Sequence, residues 1–234
     1  MRKVEPPEGY PPEEGRYLRG NDYSPVAVVI ILNRPYDDVP SDFEKLVRVG
    51  VESGAALSGL LQTENIGIEK MICNIVANPN IRYLVMAGPE SPGHLTGEAL
   101  AALVENGIDE KKKIIGTKSP TPYLFNIPRE YVERFREQIK LINLLNEGNP
   151  DTLRQAVWSC YQEKPTRFRD YLLYDPGAYP GEPLLGKITW RVTRPWAEPK
   201  DEEERKQIEK LQDIMAQARK MAERRRKEQK KEAI

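Results

Sequence analysis

VAVVIIL, residues 26–32, is rich in β-branched side chains and apolar at both odd and even positions. A strand with one wet face alternates in polarity, so this run is expected to be covered on both faces, the pattern of parallel sheets. IRYLVMAG, residues 81–88, reads the same way. Between the two, Thr63 and Glu64 make an N-cap and first turn, and Ile68, Met71, Ile72, Ile75 and Val76 follow at helical spacing until Asn78-Pro79. Thr96 then caps a helix through Ala99, Leu100, Leu103 and Val104 that stops at Asn106-Gly107. KIIGT, residues 113–117, is expected as the next strand. Pro128 at a first helical position opens an amphipathic helix with Val132, Phe135, Ile139 and Ile142 inward; Pro150 opens another with Leu153, Ala156, Val157 and Cys160. This alternation predicts an α/β fold with a mainly parallel sheet flanked by helices.

Residues 41–61 are ambiguous: Phe43, Leu46, Val47 and Gly50 suit a helix, and GAALSGLL at 54–61 suits a short strand between glycines. Outside the core region 26–164, residues 1–25 hold five of the 20 prolines and are expected to form a surface arm. Residues 165–199 change pattern, with RDYLLYD, the turn-rich DPGAYPGEP and the alternating Ile188, Trp190 and Val192 of LLGKITWRVT; they predict a C-terminal β-hairpin. Residues 200–234 read as one charged helix, acidic at its start and basic near its end in accord with the helix dipole. Its seam Ile208, Leu211, Met215, Ala218 and Ala222 leaves two readings, a solvated helix or a dimer or partner-helix contact through residues 205–222. Trp158, Trp190 and Trp196 are read as packing anchors.

Composition excludes several functions. With 36 basic and 36 acidic side chains there is no basic excess for phosphate backbones, so no nucleic-acid partner is expected. The longest aliphatic run, Val26 to Leu32, is far shorter than the roughly 20 residues of a membrane-spanning helix, and the N-terminus has no apolar signal stretch. The expected location is cytoplasmic. Cys73 and Cys160 fall in apolar helical patterns with no CxxC or Cys/His cluster, which argues for buried thiols and against a zinc site of usual spacing or a four-cysteine iron–sulfur cluster.

Ligands of parallel sheets bind beyond the carboxyl ends of the strands. Three loops converge there: the approach to Thr63, GPESPGHLTG at 88–97, and GTKSPTPYLFNIP at 116–128. The small residues let backbone approach a ligand, and the helix starts at Thr63 and Thr96 offer N–H groups. The middle loop carries His94, the only histidine of the chain, after Pro92-Gly93. No GxSxG elbow accompanies it. A lone imidazole is a plain polar surface group or an axial metal ligand where a macrocycle supplies the other bonds.

Residues 63–108, TENIGIEKMICNIVANPNIRYLVMAGPESPGHLTGEALAALVENGI, followed by KIIGT and FNIPREYVERFREQI, resemble the corrinoid-carrying subunit of tetrahydromethanopterin:coenzyme M S-methyltransferase. TENIGIEK, NPNIRYL and GHLTG are the identifying stretches. The resemblance implies a Rossmann-like domain that binds a cobamide, with His94 as lower axial ligand of cobalt. It further implies methyl transfer through alternating Co(I) and methyl-Co(III) states, from a methylated pterin-type or other one-carbon donor to a thiol or other acceptor. Partner methyltransferases would catalyse both half-reactions.

The cobamide contacts expected on that basis are Thr63, Glu64, Asn65 and Gly67 at one helix start, Gly93, Leu95, Thr96 and Gly97 around His94, and Thr117, Ser119 and Pro120 beyond. Many cobamide proteins place an Asp two residues before the ligand and a Gly three after; here those positions are Pro92 and Gly97. The distal imidazole nitrogen must then find Glu64, Glu98 or a backbone carbonyl. The membrane-bound form of the family ends in an anchoring helix, whereas this chain ends in the hairpin and a charged helix, so the expectation is a homologue without the anchor. Two other functions remain open on the residues alone: a cofactor-free interaction module working through the charged helix, and an α/β enzyme using His94 as acid/base with Glu64 or Glu98 nearby.

Overall fold

The computed structural model describes residues 2–34 and 38–188, together with 202, 205, 206, 209 and 220. Four parallel strands, β2 (Val26–Ile31), β3 (Leu57–Leu61), β4 (Tyr83–Gly88) and β5 (Lys140–Leu145), form the centre of a sheet in the order β3-β2-β4-β5. A short strand, β1 (Tyr17–Arg19), pairs antiparallel along the outer edge of β3. The sheet is therefore mixed and mainly parallel.

Strand pleating sorts β2 into two cores. Val26, Val28 and Ile30 pack under α1 (Ser41–Glu52) and α5 (Pro150–Cys160), whose Leu46, Val47, Leu153, Ala156 and Val157 cover that face. Ala27, Val29 and Ile31 face α2 (Ile66–Val76), α3 (Thr96–Asn106) and α4 (Arg129–Gln138) through Ile68, Ile72, Leu100, Leu103 and Phe135. Both readings of residues 41–61 are realised, as α1 and β3. The two lie close: a Cβ at Gly50 would sit 2.3 Å from Ser58 Oγ, so only glycine permits this approach. The chain leaves β2 toward β3 on one face and crosses from β3 to β4 on the other. The sheet order thus reverses beside β2, and the loops after β3 and β4 meet beyond the strand ends.

KIIGT is not a strand of this sheet. It makes only isolated bridges, Ile108 to Ile114 and Lys113 to Tyr123, between left-handed Lys112 (φ 60°) and Gly116 (φ 83°). The sheet position goes to Lys140–Leu145, because α4 stops at Gln138 instead of continuing through Ile139 and Ile142. Ile142 and Leu144 then enter the α1/α5 core, and Lys140 N–H donates to Arg82 O at 2.8 Å. Pro128 is the N-cap of α4, one residue before its first turn, whereas Pro150 is the first residue of α5 as expected.

Residues 2–25 lie against the domain through side-chain amides. Asn80 accepts from Val4 N–H at 3.0 Å and donates to Val4 O at 2.6 Å; Asn74 pairs in the same two-bond manner with Glu13 N–H and O at 2.8 and 3.1 Å. A primary amide presents one donor and one acceptor side by side, so it substitutes for a neighbouring strand where prolines interrupt a ladder.

The C-terminal antiparallel hairpin joins β6 (Thr166–Phe168) to β7 (Tyr171–Leu173). The expected strand at LLGKITWRVT is absent from its described part. There Leu184 N–H donates to Val76 O at 3.1 Å and the buried Ile188 donates its N–H to the Glu13 carboxylate. Trp190, Val192 and Trp196 lie outside the described residues, as does the seam Ile208, Leu211, Met215, Ala218 and Ala222. Glu202, Arg205, Lys206, Glu209 and Lys220 are charged residues in helical conformation and exposed. Trp158 is 48% exposed, because α5 turns Leu153, Ala156, Val157 and Cys160 inward and Trp158 falls off that stripe. Among the described residues, no helix is long and apolar enough to cross a membrane.

Two buried polar groups tie the α2 side together. Gln138 donates from Nε2 to Ile75 O, Asn78 O and Ile81 O at 3.1, 2.9 and 3.0 Å, locking the end of α4 to the α2–β4 connection. Glu69, on the inner face of α2, accepts from Asn126 N–H and Nδ2 at 2.7 Å each. Burial pushes its carboxyl up to about 7, against the opposing pull of Asn126 and Lys112.

Gln138→Leu removes the shared donor, and urea denaturation should register a loss of about 2 kcal/mol. For Glu69 the folded protein holds a proton that the unfolded chain has released between the ordinary carboxylate range and about pH 7. Its stabilising effect is therefore complete below that ordinary range and is lost as pH rises through 7. Glu69→Gln should remove this part of the decline in stability between pH 5 and 8, measured as the change in slope of unfolding free energy against pH.

Candidate functional site

The loop from β4 to α3 is built to hold one side chain outward. Glu90 folds its carboxylate back over the helix start, accepting from Ser91 N–H at 2.7 Å, Gly97 N–H at 3.0 Å and Glu98 N–H at 2.7 Å. Ser91 Oγ accepts from Thr96 N–H at 3.1 Å and donates to Thr96 Oγ1 at 2.9 Å. His94 stands between left-handed Gly93 (φ 83°) and left-handed Leu95 (φ 53°). Leu95, not Thr96, is the N-cap, and a branched side chain in that conformation marks local backbone strain. A Cβ at Gly93 would meet no heavy atom within 4 Å, so the space beside His94 is open.

The imidazole is oriented from beneath. His94 Nδ1 lies 3.0 Å from Glu64 Oε2, and the Glu64 side chain is 1% exposed where that of His94 is 44% exposed. The other carboxylate oxygen, Oε1, accepts from Thr121 Oγ1 at 2.6 Å and Thr121 N–H at 3.2 Å. With an ionised carboxylate, which only accepts, and a neutral ring, the proton of the ring is on Nδ1 and the lone pair on Nε2. The three loops after β3, β4 and α3 thus meet in one chain of contacts, Thr121 to Glu64 to His94.

The remaining expected site residues divide by position. Thr63, Asn65 and Gly67 build the start of α2. Asn65 is the N-cap and accepts from Ile66 N–H at 2.7 Å, while Thr63 Oγ1 accepts from Gly67 N–H at 2.9 Å. Gly93, His94 and Leu95 form the outward turn. Thr96 and Gly97 are buried: Thr96 Oγ1 donates to Gln62 O at 3.0 Å, and a Cβ on Gly97 would come within 2.4 Å of Leu145 Cδ1.

On the third loop, the Thr117 hydroxyl and Lys118 N–H donate to Glu98. Ser119 N–H donates to Thr117 Oγ1 at 3.0 Å, and Pro120 is half-buried. Glu98 is thereby occupied, and of the acceptors weighed for the distal imidazole nitrogen, Glu64 is the one in contact. Ser119 Oγ is a buried hydroxyl without a partner among the described residues. Thr121 and Glu90 carried no sequence signal, since a Thr before a proline and a Glu after one are ordinary loop residues.

The helix starts expected to offer free N–H groups are largely occupied. Glu90 and Ser91 satisfy those of α3, and Asn65 and Thr63 two of those of α2. Among the described residues no group of three or more His, Cys, Asp or Glu is placed to hold a metal ion. One protein nitrogen with an oriented lone pair fits a metal that arrives with its other ligands already bound, as in a macrocycle.

The family model for the MtrA subunit of tetrahydromethanopterin S-methyltransferase matches residues 3–191. Form 1 of that subunit in Methanothermobacter thermautotrophicus is 39% identical over 189 residues, covering 80% of this chain and 70% of that protein. Form 2 in the same organism is 39% identical over 189 residues, covering 80% and 91%. The corresponding subunit of Methanopyrus kandleri is 39% identical over 184 residues, covering 78% and 67%. With the matched span taking in the whole α/β domain and the His94 loop, the chain belongs to the MtrA family of tetrahydromethanopterin S-methyltransferase subunits.

Proposed function

We propose that this protein is a cobamide-binding methyl carrier in which His94 Nε2 is the lower axial ligand of cobalt. The observation that carries the reading is the His94–Glu64 pair, in which a buried carboxylate holds Nδ1 of a ring that is itself 44% exposed. A bound cobamide supplies the cobalt that takes up and gives away a methyl group. The residues of this chain have other tasks. Glu64 fixes the tautomer and makes the imidazole a stronger donor. Glu90 and Ser91 hold the loop so that His94 keeps its place. Gly93 leaves the space beside His94 clear.

The methyl donor, a methylated pterin-type or other one-carbon compound, and the acceptor, a thiol or other nucleophile, reach the site on partner methyltransferases. Activity in the cytoplasm belongs to the same reading. Residues 205–222 are its proposed dimer or partner-helix contact. The names of the relatives, each a subunit of a methyltransferase, support a component that works with others.

Reconstitution with cobalamin should load about one cobalt per chain and give the visible spectrum of an axial imidazole. His94→Ala should lose that spectrum, and absence of retained corrinoid in the wild type would overturn the reading. Glu64→Gln keeps the shape but removes the negative charge behind Nδ1. Titration with cobalamin should show imidazole ligation weakened about tenfold.

A further inference from the structure

We propose that Thr121 is a positioning residue for His94, acting through Glu64. A buried carboxylate with one loose oxygen can rotate, and the ring paired to its other oxygen then turns with it. Here Oε1 is held twice by one residue, by the Thr121 hydroxyl at 2.6 Å and its N–H at 3.2 Å, which leaves Oε2 aimed at His94 Nδ1. The hydroxyl is in turn approached by Asn65 Nδ2 at 3.5 Å. The result is a directed series, amide to hydroxyl to carboxylate, with the imidazole N–H donating from the far side; each donor polarises the next bond.

Thr121 can set this geometry because its loop is fastened to α2 at a second point. Five residues on, Asn126 gives both its N–H and its side-chain amide to Glu69 at 2.7 Å each. Glu64 leads into α2 and Glu69 lies within it, so the segment from Thr121 to Asn126 is tied at one end to the residue before the α2 cap and at the other to α2 itself. Loss of the hydroxyl leaves the backbone N–H in place but frees Oε1 from its shortest contact. The carboxylate then shares Nδ1–H less well, and the tautomer with the proton on the exposed Nε2 gains. That tautomer has no lone pair for a metal on its outward side.

The chain has one histidine, so protein labelled with 15N-histidine contains a single imidazole and needs no assignment. In the cofactor-free wild type the 15N shifts should place the proton on Nδ1. Thr121→Val should raise the Nε2–H population several-fold, and Thr121→Ser should restore the wild-type ratio, which a merely structural role would not predict. Should Thr121→Val fail to fold, Thr121→Ala serves as the hydroxyl-free variant. Equal tautomer ratios in wild type and the hydroxyl-free variant, or a Thr121→Ser protein that behaves like it, would overturn the proposal.

The functional consequence rests on His94 as axial ligand and is read separately. On cobalamin titration, imidazole ligation should weaken about tenfold in Thr121→Val and recover in Thr121→Ser. If the wild type takes up no cobalamin, the carrier reading falls, while the tautomer ratio still decides on Thr121.

Discussion

The site depends on one buried carboxylate. Glu64 sits almost wholly out of water between three loops, and a carboxylate in that position must be met by donors on both oxygens or give up its charge. The donors come from two different loops, His94 on one side and Thr121 on the other. Glu64 is therefore more than the partner of a histidine. It is a single side chain in contact with both of the other two segments, so the segment after β3, the segment after β4 and the segment after α3 all meet at it.

The same device recurs lower in the fold. Glu69 secures Asn126, Glu98 secures Thr117 and Lys118, and Glu90 secures the start of α3. On the opposite side of α2, side-chain amides take over: Asn74 and Asn80 bind the N-terminal segment, and Gln138 binds the turn before β4. Apolar packing builds the two faces of the sheet. The irregular segments are placed by buried and half-buried polar groups with hydrogen-bond partners, which specify position where apolar contact alone would allow sliding.

That division explains how much could be read from the residues. Val26–Ile31 and Tyr83–Gly88 were legible because burial on both faces leaves an unbroken apolar run, and α2 because its apolar stripe has helical period. KIIGT misleads since two isoleucines beside a glycine look like a short strand, yet a left-handed Lys112 and Gly116 bend the segment into bridges. The boundary between α4 and β5 is hidden for a different reason. Val132, Phe135, Ile139 and Ile142 fit one helical stripe, and only the vacant edge of β4, a tertiary feature, ends the helix at Gln138. In the site, the loop, its lone histidine and the candidacy of Glu64 were visible. Thr121 was not, because a pairing across 57 positions has no local pattern.

The occupied helix starts narrow what such a site can recognise. A free helix N-terminus favours phosphates and carboxylates, through unpaired N–H groups and the positive end of the dipole. Here Glu90 already fills that position on α3 with two hydrogen bonds, and Asn65 and Thr63 cap α2. A phosphate-led ligand would have to displace a built-in carboxylate before gaining anything. Charge adds to the difficulty, since Glu64, Glu90 and Glu98 surround the His94 loop from its own element and the two beside it. An acidic surround with one electron-rich nitrogen at its centre suits an electron-poor metal centre better than an anion. Each of the three carboxylates is already engaged by donors of the neighbouring segments, Glu64 by His94 and Thr121, Glu90 by the start of α3, and Glu98 by Thr117 and Lys118.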